Sequence, residues 1–146
     1  MQKRPFSQAS IGPKFTGQVI LISKLPDHRL TVADLQTWHR RWLGNVYEWA
    51  GQERAVNVSK GSFMFAAAPQ IPRLLAEFER QCLARWTPCH DMDAAALVEA
   101  IAVTHVELIL IHPFREGNGR LSRLLADGMA VQSGQGASGL QRLGGT

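Results

Sequence analysis

A chain of 146 residues, 45% of them hydrophobic, is long enough to bury a single core and too apolar to be disordered over most of its length. Sixteen Lys and Arg residues against twelve Asp and Glu residues give a formal charge of +4, which favours an anionic partner. The basic residues form no stripe interleaved with aromatic residues, so the charge does not indicate a nucleic acid.

The cysteines and the N-terminal residues bear on localisation. Cys82 and Cys89 lack the spacing of a metal site and are interpreted as free thiols in a reducing compartment. The apolar run VILI at 19–22 is too short for the core of a signal peptide or for a membrane span. We therefore expect a cytoplasmic protein without a membrane-spanning segment or a membrane partner, while export by a route that ignores such signals stays open.

The first predicted helix follows an irregular start. Residues 1–29 are basic and interrupted by Gly and Pro, which predicts a lead-in without regular structure before a domain at 30–131. Thr31 and Asp34 have the spacing of a capping box, and a helix is expected from about 32 to 43, where a glycine follows. The apolar side chains of this region are expected to pack in the core: Leu35, Trp38, Trp42 and Trp49.

A β-hairpin is predicted in the segment RAVNVSKGSFMFAAA, which runs from Arg54 to Ala68. Apolar and polar residues alternate on both sides of Gly61, and a glycine tolerates the positive φ that a tight turn requires. Phe63 and Phe65 are assigned either to packing or to a binding surface, because the pattern does not separate these alternatives. The residues expected in the hairpin are Val58, Ser59, Lys60, Gly61, Ser62 and Phe63.

Two further helices are predicted before the most polar segment. The first begins near Pro69, which suits a first helical turn, and ends near Trp86. The second runs from about Asp93 to Ile111 and is apolar on nearly all sides, so we expect it to lie buried at the centre of the molecule. Two histidines within helical patterns are interpreted as structural residues without a chemical role: His39 and His105.

The segment IHPFREGNGRLSR at 111–123 concentrates ionisable residues and glycines directly after that helix. Pro113 disfavours helical geometry at His112, which predicts that the helix ends there and holds the histidine at its edge. Glycines in the loop 116–119 leave backbone amides uncovered, and another helix is predicted over 120–129. An anion is favoured at the N-terminus of that helix.

The side chains around this loop suit a phosphate-containing ligand. Arg120 and Arg123 lie on neighbouring positions of the predicted helix and offer forked donors, and Asn118 offers a neutral donor. Glu116 supplies the single carboxylate typical of a Mg²⁺ site whose other ligands are phosphates and water. His112 is the nearby group suited to taking a proton from a hydroxyl at neutral pH.

The remaining residues of the segment have structural interpretations. Phe114 is a large apolar residue in a polar loop and is expected to anchor that loop to the core, whereas Arg115 is expected to face solvent. A plain surface turn is the alternative interpretation of the whole segment, because Gly and Asn are common in turns. Residues 132–146 are rich in glycine and poor in charge, which predicts a disordered tail.

The complete string resembles the signature of the Fic family, HPFx(D/E)GNGRxxR, at every specified position. Upstream, the segments LTVADLQTWHRRWLGNVYEWAG, RAVNVSKGSFMFA and QIPRLLAEFE are similar to a Fic core in which the hairpin, called the flap, precedes the signature. The resemblance runs from Leu30 to Met129. It implies a mainly helical fold with a central buried helix, a motif loop followed by a helix, and one β-hairpin flap.

The resemblance also implies an activity, which is the Mg²⁺-dependent transfer of AMP from ATP to a Tyr, Thr or Ser hydroxyl of a target protein. In that scheme His112 is the general base and Glu116 holds the metal. Arg120 binds the β-phosphate region and Arg123 binds the γ-phosphate. An extended segment of the target would pair with the edge of the flap. The anion hole is formed by Gly117, Asn118 and Gly119.

Many Fic proteins are inhibited by a helix with the motif (S/T)xxxE(G/N), and no Glu of this sequence has Ser or Thr four residues before it. The resemblance therefore implies either a separate inhibitory protein, as in toxin and antitoxin pairs, or no inhibitor. Two alternatives to AMP transfer stay open. One is an inactive or truncated Fic remnant that acts as a binding module, and the other is transfer of a different phosphate-containing group by the same loop.

Overall fold

The first helix begins and ends where the sequence predicts. The computed structural model describes residues 27–134, and helix α1 spans Val32–Leu43 within them. The Thr31 hydroxyl accepts from the Asp34 amide, and the Asp34 carboxylate accepts from the Thr31 amide at 2.8 Å, which completes the predicted capping box. The amide of Gly44 donates to a carbonyl of the last turn and ends the helix.

The predicted hairpin is present, although its strands are short. Strand β1 is Ser59–Lys60 and strand β2 is Phe63–Met64, and they pair antiparallel. Gly61 has φ +61°, so its lack of a side chain is what permits the tight turn. The hairpin is called the flap below, and it forms the only sheet within residues 27–134.

Helix α2 covers residues 71–86 in three contiguous parts: Ile71–Phe78, a π-helical segment Glu79–Leu83, and Ala84–Trp86. A 3₁₀ turn, Ala68–Gln70, leads into it and contains Pro69. The prolines thus lie in the first turns, where a missing amide hydrogen costs no helical bond, and the end at Trp86 agrees with the prediction.

Helix α3 spans Ala94–Ile111 and begins at the Asp93 carboxylate, which accepts from the amide of Ala96. It packs against α2 and against helix α4, Asn118–Gln132, which starts two residues before and ends three residues after the predicted bounds. The side chains of α4 that were expected to face inward are buried: Leu121, Leu124, Leu125 and Met129. The same core contains the two free thiols, Cys82 and Cys89.

The expectation that α3 is buried on nearly all sides is wrong. One face lies in the core, with Leu97, Ala100, Thr104, Leu108 and Ile111 buried. The opposite face is exposed by 38–51% at four large apolar residues: Val98, Val103, Val106 and Leu110. A uniformly apolar helix has no hydrophobic periodicity, so its sequence cannot indicate which side its neighbours cover.

Helix α3 is also long and apolar enough to cross a membrane, because its 18 residues have a mean hydropathy of 2.0. Length and composition alone do not distinguish such a span from the core helix of a folded domain. The packing of one face against α2 and α4 is typical of a core helix. The expectation of no membrane partner stays a prediction.

The predicted lead-in lies outside the described residues up to position 26, and the predicted tail lies outside them from position 135. The first residue of that tail, Gln132, still belongs to α4.

Candidate active site

Phe114 anchors the loop between α3 and α4, as predicted. Its side chain is 2% exposed and its ring stacks on the imidazole of His39, with 3.9 Å between the ring centroids. Arg115 faces solvent, as expected, with its guanidinium 5.5 Å from the ring of Trp49. The loop is therefore held by one buried aromatic residue while its charged neighbour remains accessible.

Asn118 closes the same loop through its side chain. The residue is 2% exposed, its Oδ1 accepts from the Phe114 amide at 2.9 Å, and its Nδ2 donates to the Phe114 carbonyl at 2.7 Å. These bonds use Oδ1 and one of the two hydrogens of Nδ2, so the first role of this side chain is to fix the loop. The role of Asn118 as a neutral donor to an anion stays a prediction.

The two glycines of the loop have different surroundings. Gly117 has φ +85°, and a Cβ at this position would lie 2.8 Å from Cζ3 of Trp42. It is also the N-cap of α4 and has no side chain with which to cap the first amides of that helix. Gly119 is exposed, and nothing lies within 4 Å of a Cβ placed on it. The start of α4 thus presents its backbone next to open space.

The carboxylate of Glu116 is held by a residue that the sequence analysis missed. The hydroxyl of Tyr47 donates to Oε2 of Glu116 at 2.6 Å, and burial, followed by the contact with this carboxylate, raises the pKa of Tyr47 to about 12. Residues 27–134 contain no group of three or more His, Cys, Asp or Glu residues that could hold a metal. One fixed carboxylate fits Mg²⁺, which takes its remaining ligands from phosphates and water.

His39 is a structural residue, as expected, and the backbone of the motif loop is its partner. The amide of Gly51 donates to Nδ1 at 2.8 Å, so Nε2 carries the hydrogen and donates to the carbonyl of Glu116 at 2.9 Å. Burial lowers the pKa of His39, while the hydrogen bond to Glu116 opposes that effect. A neutral ring is the form that both hydrogen bonds require.

His112 leaves α3 in a left-handed conformation with φ 53°, which ends the helix before Pro113 but differs from the extended backbone that a following proline favours. Its ring stacks on Phe65 of the flap, with 3.7 Å between centroids. Burial lowers the pKa of the ring, the charges of Arg54 and Lys60 act in the same direction, and the carbonyl of Ile109 opposes them. The imidazole is therefore neutral near pH 7 and able to accept a proton.

The two arginines of the motif lie on α4. Arg120 is half-buried with its guanidinium 6.0 Å from the ring of Trp42, and Arg123 is exposed. Because α4 begins at Asn118, Arg120 lies in its first turn and Arg123 in its second. The spacing still puts both side chains on neighbouring positions of one face.

The flap places apolar side chains in solvent. Phe63 is 50% exposed and Met64 is 59% exposed, whereas Phe65 contacts both His112 and Phe63. Phe65 therefore packs against the ring of His112, whereas Phe63 meets the ring of Phe65 and leaves half of its surface in solvent, so a role of Phe63 in binding stays a prediction. Arg54, which precedes the flap, is buried and contacts the end of α3. No local sequence pattern marks Arg54 as part of a site.

Three relatives are similar in sequence to most of the described region. The protein adenylyltransferase VbhT of Bartonella schoenbuchensis is 36% identical over 96 residues, which cover 66% of this chain and 20% of VbhT. The probable protein adenylyltransferase y4lH of Sinorhizobium fredii is 35% identical, covering 66% and 50%. The protein adenylyltransferase fic-1 of Caenorhabditis briggsae is 34% identical over 115 residues, covering 78% and 22%. The chain thus spans between a fifth and a half of their lengths.

Two solved structures are similar in fold. The BepC protein of Bartonella tribocorum, solved with bound AMPPNP, superposes with a TM-score of 0.75 over 88% of this chain and 68% of BepC, at 22% identity. The N-terminal Fic domain of an effector from Bartonella sp. AR 15-3 gives a TM-score of 0.74 over 89% and 65%, also at 22% identity. These likenesses confirm the mainly helical fold. A sequence model of the Fic/DOC family matches residues 29–130, and the chain belongs to that family.

Proposed function

We propose that this chain transfers the AMP moiety of ATP to a hydroxyl side chain of a target protein. The observation that carries the proposal is the conjunction, on one loop, of a neutral imidazole and a helix start without a side-chain cap. The first of these can accept a proton, and the second favours phosphate. The printed names of the relatives, protein adenylyltransferases, support the same class of reaction.

His112 is the general base of the proposed reaction. Its ring takes the proton of the target hydroxyl as the hydroxyl oxygen forms a bond to the α-phosphorus of ATP. The bond between that phosphorus and the oxygen bridging to the β-phosphate breaks, and pyrophosphate leaves with the electron pair. The lowered pKa of His112 keeps the ring ready to accept a proton at neutral pH.

The start of α4 stabilises the phosphate charge. The backbone amides of Gly117, Asn118 and Gly119 are proposed to face the developing negative charge, since the helix N-terminus carries positive partial charge there. Arg120 and Arg123 bind the β- and γ-phosphates through forked donors. Positioning and charge stabilisation are the main requirements of this chemistry, so a loop fixed by buried contacts suits it.

Glu116 is the proposed ligand of Mg²⁺. When bound, the ion would neutralise phosphate charge and help to orient the triphosphate. In this chain Tyr47 fixes one carboxylate oxygen of Glu116, and His39 fixes the backbone carbonyl of the same residue. Such outer contacts orient a metal ligand before the metal arrives.

The flap is the proposed surface for the target protein. Among residues 27–134 its two short strands pair only with each other, and an extended peptide can add to the edge of such a sheet through backbone hydrogen bonds. Phe63 and Met64 offer exposed apolar contacts beside it. Residence in the cytoplasm and control by a separate inhibitory protein remain proposals that rest on the sequence alone.

Labelled ATP separates AMP transfer from the alternatives. The chain is incubated with Mg²⁺ and a bacterial lysate, once with ATP labelled at the α-phosphate and once with ATP labelled at the γ-phosphate. AMP transfer predicts a protein band with the α-label and none with the γ-label. A band with the γ-label alone indicates phosphate transfer. Absence of both, with ATP binding retained in calorimetry, indicates a binding module.

A further inference from the structure

Arg54 is a buried cation whose side-chain hydrogen bonds go to backbone carbonyls. The residue is 3% exposed. Its Nε donates to the carbonyl of His112 at 2.6 Å, and one terminal nitrogen donates to the carbonyls of Ile111 at 3.1 Å and Ala66 at 2.6 Å. The other terminal nitrogen donates to the carbonyl of Val56 at 2.7 Å. The planar fork of Arg is therefore satisfied without a carboxylate.

These four carbonyls belong to two parts of the molecule. Ile111 and His112 form the C-terminal end of α3, where the last carbonyls lack helical partners and carry partial negative charge. Val56 and Ala66 lie on either side of the flap and form its base. A single guanidinium thus bonds the end of the core helix and both sides of the flap base.

Two backbone hydrogen bonds reinforce the same junction. The amide of Arg54 donates to the carbonyl of Pro113 at 2.9 Å, and the amide of Ala66 donates to the carbonyl of Leu110 at 3.3 Å. Immediately beyond this junction, Phe65 stacks on the ring of His112. The orientation of that ring therefore depends on where the flap base is held.

We propose that Arg54 is a positioning residue, whose guanidinium fixes the base of the flap to the end of α3 and so holds Phe65 against the imidazole of His112. The target-binding edge and the general base then keep one relative position. A lysine cannot replace it, because a point charge on a flexible chain does not reach four carbonyls with fixed geometry. The inference rests on the proposed function only for its effect on catalysis.

Hydrogen exchange tests the junction without any assay of activity. In the folded Arg54→Lys variant we expect the amide of Ala66 to exchange at least about 10-fold faster than in wild type, because its local structure opens more often. The amide of Leu121 in α4, which donates to Gly117, should be unchanged. Arg73→Lys is the matched control at an exposed site and should alter neither amide. Unchanged exchange at Ala66 in Arg54→Lys overturns the inference.

A measurement on the wild-type chain covers the case in which Arg54→Lys does not fold. The amides of Ala66 and His112, the latter donating to the carbonyl of Leu108 at 2.9 Å, should open together if one residue joins their segments. Their protection factors should agree within about threefold. An Ala66 amide that exchanges far faster than that of His112 shows independent motion and contradicts the proposal.

Kinetics tests the consequence for AMP transfer. Arg54→Lys should lower kcat by at least about 10-fold and leave the KM for ATP unchanged, because the phosphate-binding backbone of α4 is not displaced. A raised KM for ATP with unchanged kcat assigns Arg54 to nucleotide binding and overturns the positioning role. A wild-type chain without AMP transfer refutes the proposed function, and the exchange measurements then still decide whether the junction exists.

Discussion

At the scale of single residues, the two motif glycines differ in what they do. Gly117 combines a positive φ with a close approach to Trp42, so the fold itself requires a glycine. Gly119 adopts helical geometry with open space around it, so the folded chain has room for a side chain there. A requirement for glycine at position 119 therefore arises only from a ligand that approaches its backbone.

We predict that Gly119→Ala mainly weakens ATP binding, whereas Gly117→Ala mainly destabilises the fold. Gly119→Ala should leave the free energy of unfolding equal or raise it by up to about 1 kcal/mol, since Ala favours helices, while ATP affinity falls by at least about 10-fold. Gly117→Ala should lower the free energy of unfolding by about 1–3 kcal/mol. Urea unfolding and calorimetric ATP titration measure both effects. Full ATP affinity in Gly119→Ala would show that no phosphate approaches this backbone.

The neutral state of His39 predicts how stability depends on pH. Burial lowers its pKa in the folded chain below the ordinary value of about 6.5, so the unfolded chain binds more protons in the range below that value. The free energy of unfolding should therefore fall as the pH decreases from 7.5 to about 5.5. His39→Gln should show a smaller fall, which urea unfolding at several pH values will measure. An equal fall in both proteins would assign the effect to other groups.

The residue types of the site could be predicted from the sequence, and their partners could not. The motif string indicates His112 and Glu116 because the chemistry of each side chain is known from its type. The partners of Glu116 come from chain positions 69 and 77 residues away, and the guanidinium that bonds the backbone carbonyl of His112 comes from 58 residues away. Contacts over such separations are fixed by the tertiary fold, so no local pattern contains them.

At the scale of elements, helix bounds were predicted well wherever a local stop or start exists. The capping box of α1 and the Pro113 stop of α3 act through neighbouring backbone atoms, so the sequence contains the whole interaction. The start of α4 was missed by two residues because Gly117 is an N-cap without a side-chain signal. The extent of the flap strands was overestimated because alternation does not report how many residues pair.

The turn of the flap gives a prediction at this scale. Gly61→Val should disrupt the hairpin, because a β-branched residue strongly disfavours φ +61°, while Gly61→Asn should preserve it. We expect Gly61→Val to lower AMP transfer to a target protein by at least about 10-fold with unchanged ATP affinity, since only the peptide-binding edge is altered. Transfer assays and calorimetry measure these two quantities. Equal rates of AMP transfer by both variants would show that the flap does not bind the target protein.

At the scale of the whole molecule, helix α3 is the element around which the described residues pack. Its two faces differ in their exposure to solvent. Leu108 is 1% exposed and Leu110 is 44% exposed, although the two leucines are separated by a single residue. Their chemistry is identical, so any difference in the effect of their truncation measures the environment alone.

We predict that Leu108→Ala lowers the free energy of unfolding by about 2–5 kcal/mol and Leu110→Ala by less than about 1 kcal/mol. The first substitution leaves a cavity in the core, whereas the second removes a side chain that is largely in water. Urea unfolding of the two variants at one pH gives both values. Similar losses would mean that the exposed face of α3 is covered in solution.

The proposed reaction requires that His112 removes a proton from the target hydroxyl while the motif loop holds the ATP that reacts. Its most direct test is the single-turnover rate of AMP transfer at saturating α-labelled ATP, for wild type and for His112→Asn. We expect His112→Asn to bind ATP with an unchanged Kd and to transfer AMP at least about 100-fold more slowly. A rate within about threefold of wild type would contradict the assignment of His112 as the general base.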